Sequence, residues 1–330
     1  MVGFCGIVGN AGADVEPLVA ALPPSPDERR TDYHDDRLAV HLSAHSPFHE
    51  EQPAVAGDGS LVWIYGDPYG IDRPGGYRPR TDYAITDAEY CADLYDEHGR
   101  GFVADLNGEF AGLVFARRES EAYLFTDRLG TKPLFVTETD GGVLFSSRIQ
   151  SIGLHPAVTP AFDAECLAEF FGVQKVFGTG TPLRDVRKVP PATIETIGRD
   201  GTTRERETYW QPRYRPVDRS PTALADEIVA TFRRVFEERV RDDLEYGVLL
   251  SGGSDSRLVL GTMMELGRSP TAFHMTNWMS REARTAERVA LTAGVDFHLL
   301  RRGPDYHARL LETVPQSSNF VGAFDESIAS

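Results

Sequence analysis

The loop from residue 251 to residue 256 has the composition of an anion-binding site. It reads Ser-Gly-Gly-Ser-Asp-Ser and supplies two glycines, three hydroxyls and one carboxylate. An apolar run at residues 248–250 predicts a short buried strand before it, and residues 257–266 have a helical pattern that Gly267 ends. Backbone N–H groups and the helix dipole attract anions at such a position. We expect an oligophosphate here, because glycine lets the backbone approach its oxygens closely.

Two other phosphate-binding loops are excluded by the sequence. No G-x-x-x-x-G-K-[ST] motif occurs, and no G-x-G-x-x-G follows a predicted strand. The competing interpretation is an ordinary serine–glycine turn between a strand and a helix, which needs no ligand.

The first 155 residues predict a sheet-rich domain. Thr86-Asp87-Ala88-Glu89 is a capping box, which predicts a helix from there to about residue 98, closed by Gly99. No helix of the spacing needed for parallel crossovers separates the predicted antiparallel strands. Those strands lie at the N-terminal apolar segment around Cys5 and at residues 37–42, 61–64, 109–116, 122–126, 134–137 and 143–146.

The rest of the chain predicts a linker and a domain of alternating strands and helices. Residues 156–218, with a helix at 163–171, are otherwise irregular and charged. Ser220 and Pro221 predict the start of a helix with an apolar stripe. Strands at 246–250, 271–276 and 296–300, with helices between them, predict a parallel sheet over residues 219–330. Ligands of such sheets bind at the carboxyl ends of the strands.

Composition limits the class of protein and its partners. The 330 residues suffice for about two domains, with 41% hydrophobic and 25% charged residues. A net charge of −16 disfavours nucleic acid as a partner. No apolar run has the length of a membrane span and no leader pattern occurs, so we expect no membrane partner and a cytoplasmic location. Three widely separated cysteines predict neither disulfides nor a zinc cluster.

Taken together, the motifs resemble the glutamine-hydrolysing asparagine synthetases, which join a class II glutamine amidotransferase domain to a PP-loop synthetase domain. The matching segments are Cys5-Gly6-Ile7, Thr86-Asp87-Ala88-Glu89, Leu106-Asn107-Gly108-Glu109-Phe110-Ala111, Asp127 to Phe135, Lys188-Val189-Pro190-Pro191, Tyr209-Trp210 and the loop at residues 251–256. The resemblance implies an α+β domain of the N-terminal-nucleophile-hydrolase type, followed by an incomplete α/β domain of the adenine nucleotide alpha hydrolase type.

The resemblance also implies a reaction and its ligands. An ATP-dependent ligase of this family adenylates a carboxylate, here expected to be aspartate, releases pyrophosphate and then forms an amide with glutamine-derived or free ammonia. ATP and Mg²⁺ are the implied cofactors, the partners are small molecules, and a homodimer is possible. Leu250 and Met275 are expected to flank the adenosine, and Asp255 to bind Mg²⁺. The implied ATP contacts are Leu250, Ser251, Gly252, Gly253, Ser254, Asp255, Ser256 and Met275.

The amidotransferase half departs from the family pattern at its reactive positions. Cys5 is the candidate nucleophile, but four residues precede it, whereas the family uses the α-amine of an N-terminal cysteine as the base. His41 replaces the arginine that holds the glutamine carboxylate, and Tyr65 replaces an oxyanion asparagine. Gly66 and Asp87 remain as candidate glutamine contacts. The alternative roles are a buried apolar side chain for Cys5 and helix capping for Asp87.

These departures leave three interpretations open. The first is the asparagine-synthetase type of ligase. The second is a glutamine-independent relative, similar to β-lactam synthetases or peptide-cyclising enzymes. The third is a truncated, non-catalytic paralogue, because a downstream Ser-Gly-rich motif of the family is missing from the printed sequence.

Overall fold

Two units make up the chain, and their boundary falls between Arg213 and Tyr214. The computed structural model describes residues 3–9, 14–22, 27–80, 84–240, 244–306 and 308–309. Residues 310–330, the end of the predicted synthetase domain, therefore lie outside the described residues. None of the helices in the described ranges is long and apolar enough to cross a membrane.

The first unit is built mainly from strands. In chain order its elements are β1 (Gly3–Gly9), α1 (Glu16–Ala20), β2 (Glu28–His34), β3 (Leu38–His45), β4 (Ala54–Val55), β5 (Leu61–Arg73), β6 (Gly76–Pro79), α2 (Asp87–His98), α3 (Phe102–Asp105), β7 (Leu106–Ala116), β8 (Glu121–Thr126), β9 (Phe135–Thr139), β10 (Gly142–Ser146), α4 (Ile149–Gly153), α5 (Ala164–Val173), β11 (Arg187–Lys188), β12 (Thr193–Ile197) and β13 (Thr203–Thr208).

Two antiparallel sheets pack face to face in this unit. The first has the strand order β11-β9-β10-β1-β3-β2, and the second has the order β13-β12-β8-β7-β5-β4, with β6 paired to β5. Side chains on β1 alternate between two cores, as expected for a strand buried on both faces. Phe4 and Val8 pack with Trp63 between the sheets, whereas Cys5 and Ile7 pack outside them against α1 and α4. A third core lies between the second sheet and α2.

Helix layers on both outer faces make this unit an α+β fold of the predicted, sheet-rich kind. The capping box is confirmed: the Thr86 hydroxyl accepts from the N–H of Glu89 at 3.1 Å, and the Glu89 carboxylate accepts from the N–H of Thr86 at 2.7 Å. The two boundaries between the three predicted segments stay predictions. Residues 187–208, inside the predicted linker, nevertheless form β11, β12 and β13 and complete both sheets.

The second unit has a three-stranded parallel sheet, as predicted, in the order β14-β15-β16. Its elements are α6 (Pro221–Arg239), β14 (Gly247–Leu249), α7 (Ser254–Glu265), β15 (Thr271–Thr276), α8 (Arg281–Ala293) and β16 (Phe297–Arg301). Leu260 of α7 and two alanines of α8 pack on Ala272 to form its core.

Two details of this unit differ from the sequence predictions. The strand predicted to be buried at residues 248–250 has one exposed side chain, since Leu249 is 58% exposed. Helix α7 begins three residues earlier than predicted, so Ser254, Asp255 and Ser256 lie in its first turn rather than in the loop. The loop itself is therefore only four residues long, from Leu250 to Gly253.

Candidate functional site

The loop between β14 and α7 presents backbone donors at a helix N-terminus. Gly253 is the N-cap residue of α7, and no side chain caps the helix there. The first N–H groups of a helix lack intrahelical acceptors, so this end favours an anion. The Gly253 carbonyl accepts from Nε of Arg257 at 3.0 Å, which holds a guanidinium beside the loop.

Hydrogen bonds among the loop hydroxyls fix its shape. The hydroxyls of Ser251 and Ser256 share a hydrogen bond of 3.0 Å, and the N–H of Gly253 donates to Oγ of Ser251 at 3.2 Å. The Ser254 hydroxyl donates to Oδ1 of Asp255 at 2.9 Å. These side chains are at least partly exposed and so are accessible to a ligand.

Gly252 is required by the backbone of the loop. Its φ angle is +81°, a conformation that residues with a Cβ rarely adopt. A Cβ there would lie 3.2 Å from the N atom of Ala286 and 3.3 Å from the carbonyl of Glu282, both in α8. Gly253 has an ordinary φ of −71°, and a Cβ on it would meet only the Ser251 hydroxyl, at 3.3 Å. The loop therefore rests on α8 through Gly252.

The two predicted adenosine contacts differ in accessibility. Leu250 is 1% exposed, and its side chain lies in the core of the second unit rather than on the surface of the loop. Its carbonyl accepts from Nδ1 of His274 at 2.8 Å. Met275 lies near the carboxyl end of β15, is partly exposed, and its sulfur accepts from the Tyr306 hydroxyl at 3.7 Å. No sequence pattern indicates the His274 contact, because its partner is 24 residues away.

A cavity of about 280 Å³ in the first unit brings together both candidate glutamine contacts. Gly66 and Asp87 line it, together with Glu50, Asp67 and Lys132. Gly66 has a φ of +123°, and a Cβ on it would collide with the carbonyl of Glu109 on the paired strand β7. Glycine is thus demanded at this point of the wall by the close approach of two strands.

Asp87 is held by a buried arginine that the sequence did not reveal. The Arg80 side chain forms an ion pair with Asp87, donates to the carbonyl of Ile85 at 2.6 Å, and lies 5.0 Å from the ring centroid of Tyr90. Because Asp87 is also the first residue of α2, its carboxylate lies at the positive end of the helix dipole. Helix capping and a place in the cavity wall therefore coincide at this residue.

Glu50 is a second acidic residue of this wall, and no sequence motif indicates it. Its Oε2 accepts from the N–H of Asp87 at 2.6 Å. Burial, followed by the neighbouring charge of Asp87, raises the pKa of Glu50 to about 7. The carboxyl therefore titrates near neutral pH, a property that would couple any ligand charge in the cavity to protonation.

Cys5 does not line this cavity. Its side chain is 0% exposed and lies in the core beneath α1 and α4, with β3 and β10 paired on either side of it. Burial, followed by the charge of Asp32, raises the pKa of the Cys5 thiol, which keeps it protonated. A buried, neutral thiol is a poor nucleophile. The geometry is that of the alternative role considered for Cys5, a small buried side chain.

His41, which replaces the carboxylate-binding arginine of the family, is directed to a different partner. It lies opposite Cys5 on β3, and its Nδ1 is 2.6 Å from Oδ1 of Asp32 on β2. The residue is 1% exposed, and Nε2 finds no hydrogen-bond acceptor or donor among the described residues. His41 is absent from the wall of the cavity that contains Asp87.

No group of three or more potential metal ligands occurs within the described ranges. Asp255 is exposed and carries the only carboxylate in the described stretch 250–256. A Mg²⁺ ion at the loop would therefore take most of its ligands from phosphate oxygens and water, as Mg²⁺ commonly does at nucleotide sites.

Two family models match the chain in the order of its two units. The model described as "Glutamine amidotransferase domain" matches residues 76–210, and the model described as "Asparagine synthase" matches residues 227–328. The class is thus an amidotransferase domain followed by an asparagine synthase domain. In its two domain matches and in its curated relatives, the chain is similar to the glutamine-hydrolysing asparagine synthetases.

Each relative aligns with this chain over only part of its own length. Asparagine synthetase 3 of Bacillus subtilis is 31% identical over 180 residues, covering 53% of this chain and 28% of that protein. The amidase chyE of Penicillium rubens is 25% identical over 324 residues, covering 89% of this chain and 45% of that protein. A solved glutamine phosphoribosylpyrophosphate amidotransferase from B. subtilis is 12% identical with a TM-score of 0.40, covering 90% of this chain and 65% of that one. The chain thus spans less than half the length of these two curated relatives.

Proposed function

We propose that the second unit binds ATP with Mg²⁺ and uses it to activate a carboxylate for amide formation. The observation that supports this most directly is the loop at residues 250–253, where an uncapped helix N-terminus follows a parallel strand. The similarity to asparagine synthetases supports the same assignment, with aspartate as the expected acid.

The chemistry at this loop is a problem of charge. A carboxylate must approach the α-phosphorus of ATP, and the bond to the departing pyrophosphate must break as the acyl-adenylate forms. Backbone N–H groups at the start of α7, with the Ser251 and Ser254 hydroxyls, would hold the pyrophosphate oxygens as negative charge develops on them. Mg²⁺, when bound, would neutralise part of the phosphate charge. Ammonia would then displace AMP from the acyl-adenylate and leave the amide.

A glutamine-independent version of this reaction is a second candidate. It is favoured by the burial of Cys5 in a core that does not border the cavity of Asp87. In this version free ammonia or an amine on the substrate itself attacks the acyl-adenylate. Ammonia release from glutamine, measured with the 330-residue chain, separates the two candidates, and we expect none above the uncatalysed rate.

Binding of ATP tests the primary proposal. Isothermal titration with ATP and Mg²⁺ should give one site per chain, and Gly252→Val should weaken it at least tenfold because it moves the loop off α8. Gly261→Ala is the matched control, since Gly261 lies in α7 and has open space where its Cβ would be. Equal affinities for wild type and Gly252→Val, with circular dichroism showing both folded, would contradict the proposal.

A further inference from the structure

A second cavity in the first unit, of about 340 Å³, is lined by two lysines. Lys175 and Lys188 line it together with residues 176–182, Phe135, and the prolines 190 and 191. The chain has only three lysines in all, and its net charge is −16. No carboxylate belongs to the described lining of this cavity. The cavity is therefore positively charged, whereas the protein as a whole is negatively charged.

Lys188 is half-buried and forms no ion pair with a carboxylate among the described residues. It lies in β11, where its backbone N–H donates to the carbonyl of Thr179 at 2.9 Å. Its ammonium group makes no hydrogen bond or ion pair with any residue that the structure describes. Burial lowers the pKa of Lys188, and the charge of Lys175 lowers it further. Burying a charge without a partner is costly, so an anion between the two lysines would relieve a real electrostatic penalty.

The nearest acidic residue cannot serve as that anion. Asp127 attracts Lys188 from a distance, but it does not line the cavity. Its carboxylate accepts from the N–H groups of Phe110, Leu129 and Thr131 at 2.8–3.1 Å. A carboxylate with three backbone donors is satisfied where it is.

Backbone donors add to the two ammonium groups. The N–H groups of Gly178 and Thr179 find no acceptor in the described part of the chain, whereas the N–H of Gly180 closes the turn formed by residues 178 and 179. Gly178 has a φ of +73°, as in the alternating backbone turns that form concave anion sites. Two ammonium groups and two consecutive N–H groups supply more donors than one carboxylate can accept, and they suit the several oxygens of a phosphate.

We propose that this cavity binds the phosphate group of a small metabolite. Lys175 and Lys188 neutralise its charge, the backbone of residues 178 and 179 donates to its oxygens, and Phe135 and Val176 contact the apolar remainder of the ligand. The site shares no residue with the loop at residues 250–253 or with the cavity of Asp87, so it does not depend on the proposed ligase reaction.

Inorganic phosphate and phenyl phosphate are suitable probes, titrated into the Gly252→Val chain so that the nucleotide loop contributes nothing. We expect one site per chain, tighter for phenyl phosphate, whose ring would lie against Phe135. Lys188→Met should weaken binding at least tenfold, and Lys188→Arg should keep most of it. Arg184→Met is the matched control, because it removes an exposed positive charge close in sequence that does not line the cavity.

The outcome is decided by three results. No saturable binding of either probe at millimolar concentration would overturn the proposal, as would equal losses in Lys188→Met and Arg184→Met. Binding of succinate but not of phosphate would overturn the assignment to phosphate. ¹³C-labelled lysine spectra give an independent readout, in which phosphate should raise the depressed pKa of Lys188 in the wild-type chain. ATP binding by the wild-type loop is unaffected by any of these results.

Discussion

Replacing Glu50 by glutamine should change how the stability of the first unit depends on pH. The pKa of Glu50 is raised from 4.5 to about 7 by burial and by Asp87. A carboxyl with a raised pKa in the folded state favours folding in its protonated form. Its contribution is therefore fully present below pH 4.5 and is lost as the pH rises through 7. Glutamine keeps the neutral shape, and its carbonyl can still accept from the N–H of Asp87.

The size of the effect follows from the shift and from the exposure of the group. At ~1.4 kcal/mol per pH unit, the full shift would correspond to about 3 kcal/mol. Glu50 is only half-buried, so solvent screening reduces this figure. We expect Glu50→Gln to gain ~1–2 kcal/mol of unfolding free energy over wild type between pH 4.5 and pH 7.5.

Urea unfolding at pH 4.5, 6.0 and 7.5 measures this difference, with fluorescence of the buried Trp63 as the signal for the first unit. Glu51→Gln is the control, because Glu51 is the exposed neighbour and does not line the cavity. A gap between Glu50→Gln and wild type that stays constant over the three pH values would refute the reasoning. It would mean that the pKa of Glu50 is not raised in the folded protein.

Two further predictions concern the loop and the thiols. Gly252→Ala should destabilise the second unit by ~1–2 kcal/mol, because it forces a residue with a Cβ into the left-handed region, whereas Gly253→Ala should cost less than half of that. Thermal unfolding of the two variants measures this difference. Equal losses of stability would show that backbone strain at Gly252 is not the cause. A maleimide should label the partly exposed Cys166 in the folded chain, while Cys5 should react only after unfolding. Mass spectrometry of peptides after a short reaction measures which thiol is labelled. Labelling of Cys5 before Cys166 would contradict the described burial.

Local patterns allowed the sequence to predict some elements closely. The capping box at Thr86 and Glu89 lies within one turn of chain, and its helix has the predicted ends. The parallel sheet was also predicted, because each of its strands has a short apolar run between helices. The glycines at residues 252 and 253 also indicated a loop from the sequence alone, because a loop's requirement for glycine depends on only a few neighbouring residues.

Other features depend on contacts that no local pattern records. Strand β12 is fully buried, yet its sequence contains Glu195, whose charge is paired with Arg187 and Arg206. Strand β13 is charged and exposed along its length, as expected at the edge of a sheet. Neither strand has the alternation of apolar and polar residues that is typical of a half-buried strand, so the sequence predicts a linker in both places. Glu50 was missed likewise, because its partner Asp87 is 37 residues away.

Because β1 lies in the middle of its sheet, any proteolytic cleavage before Cys5 has to precede folding of the first unit. Proteases bind their substrates as extended, unpaired backbone, but the bond before Cys5 lies in a strand that pairs with β3 on one side and β10 on the other. Cleavage there in the finished fold would require β1 to leave the middle of the sheet, which amounts to unfolding the unit. Strand β10 is synthesised more than 130 residues after Cys5. The bond before Cys5 is therefore accessible to a protease in the nascent chain, and it stops being accessible when the sheet forms.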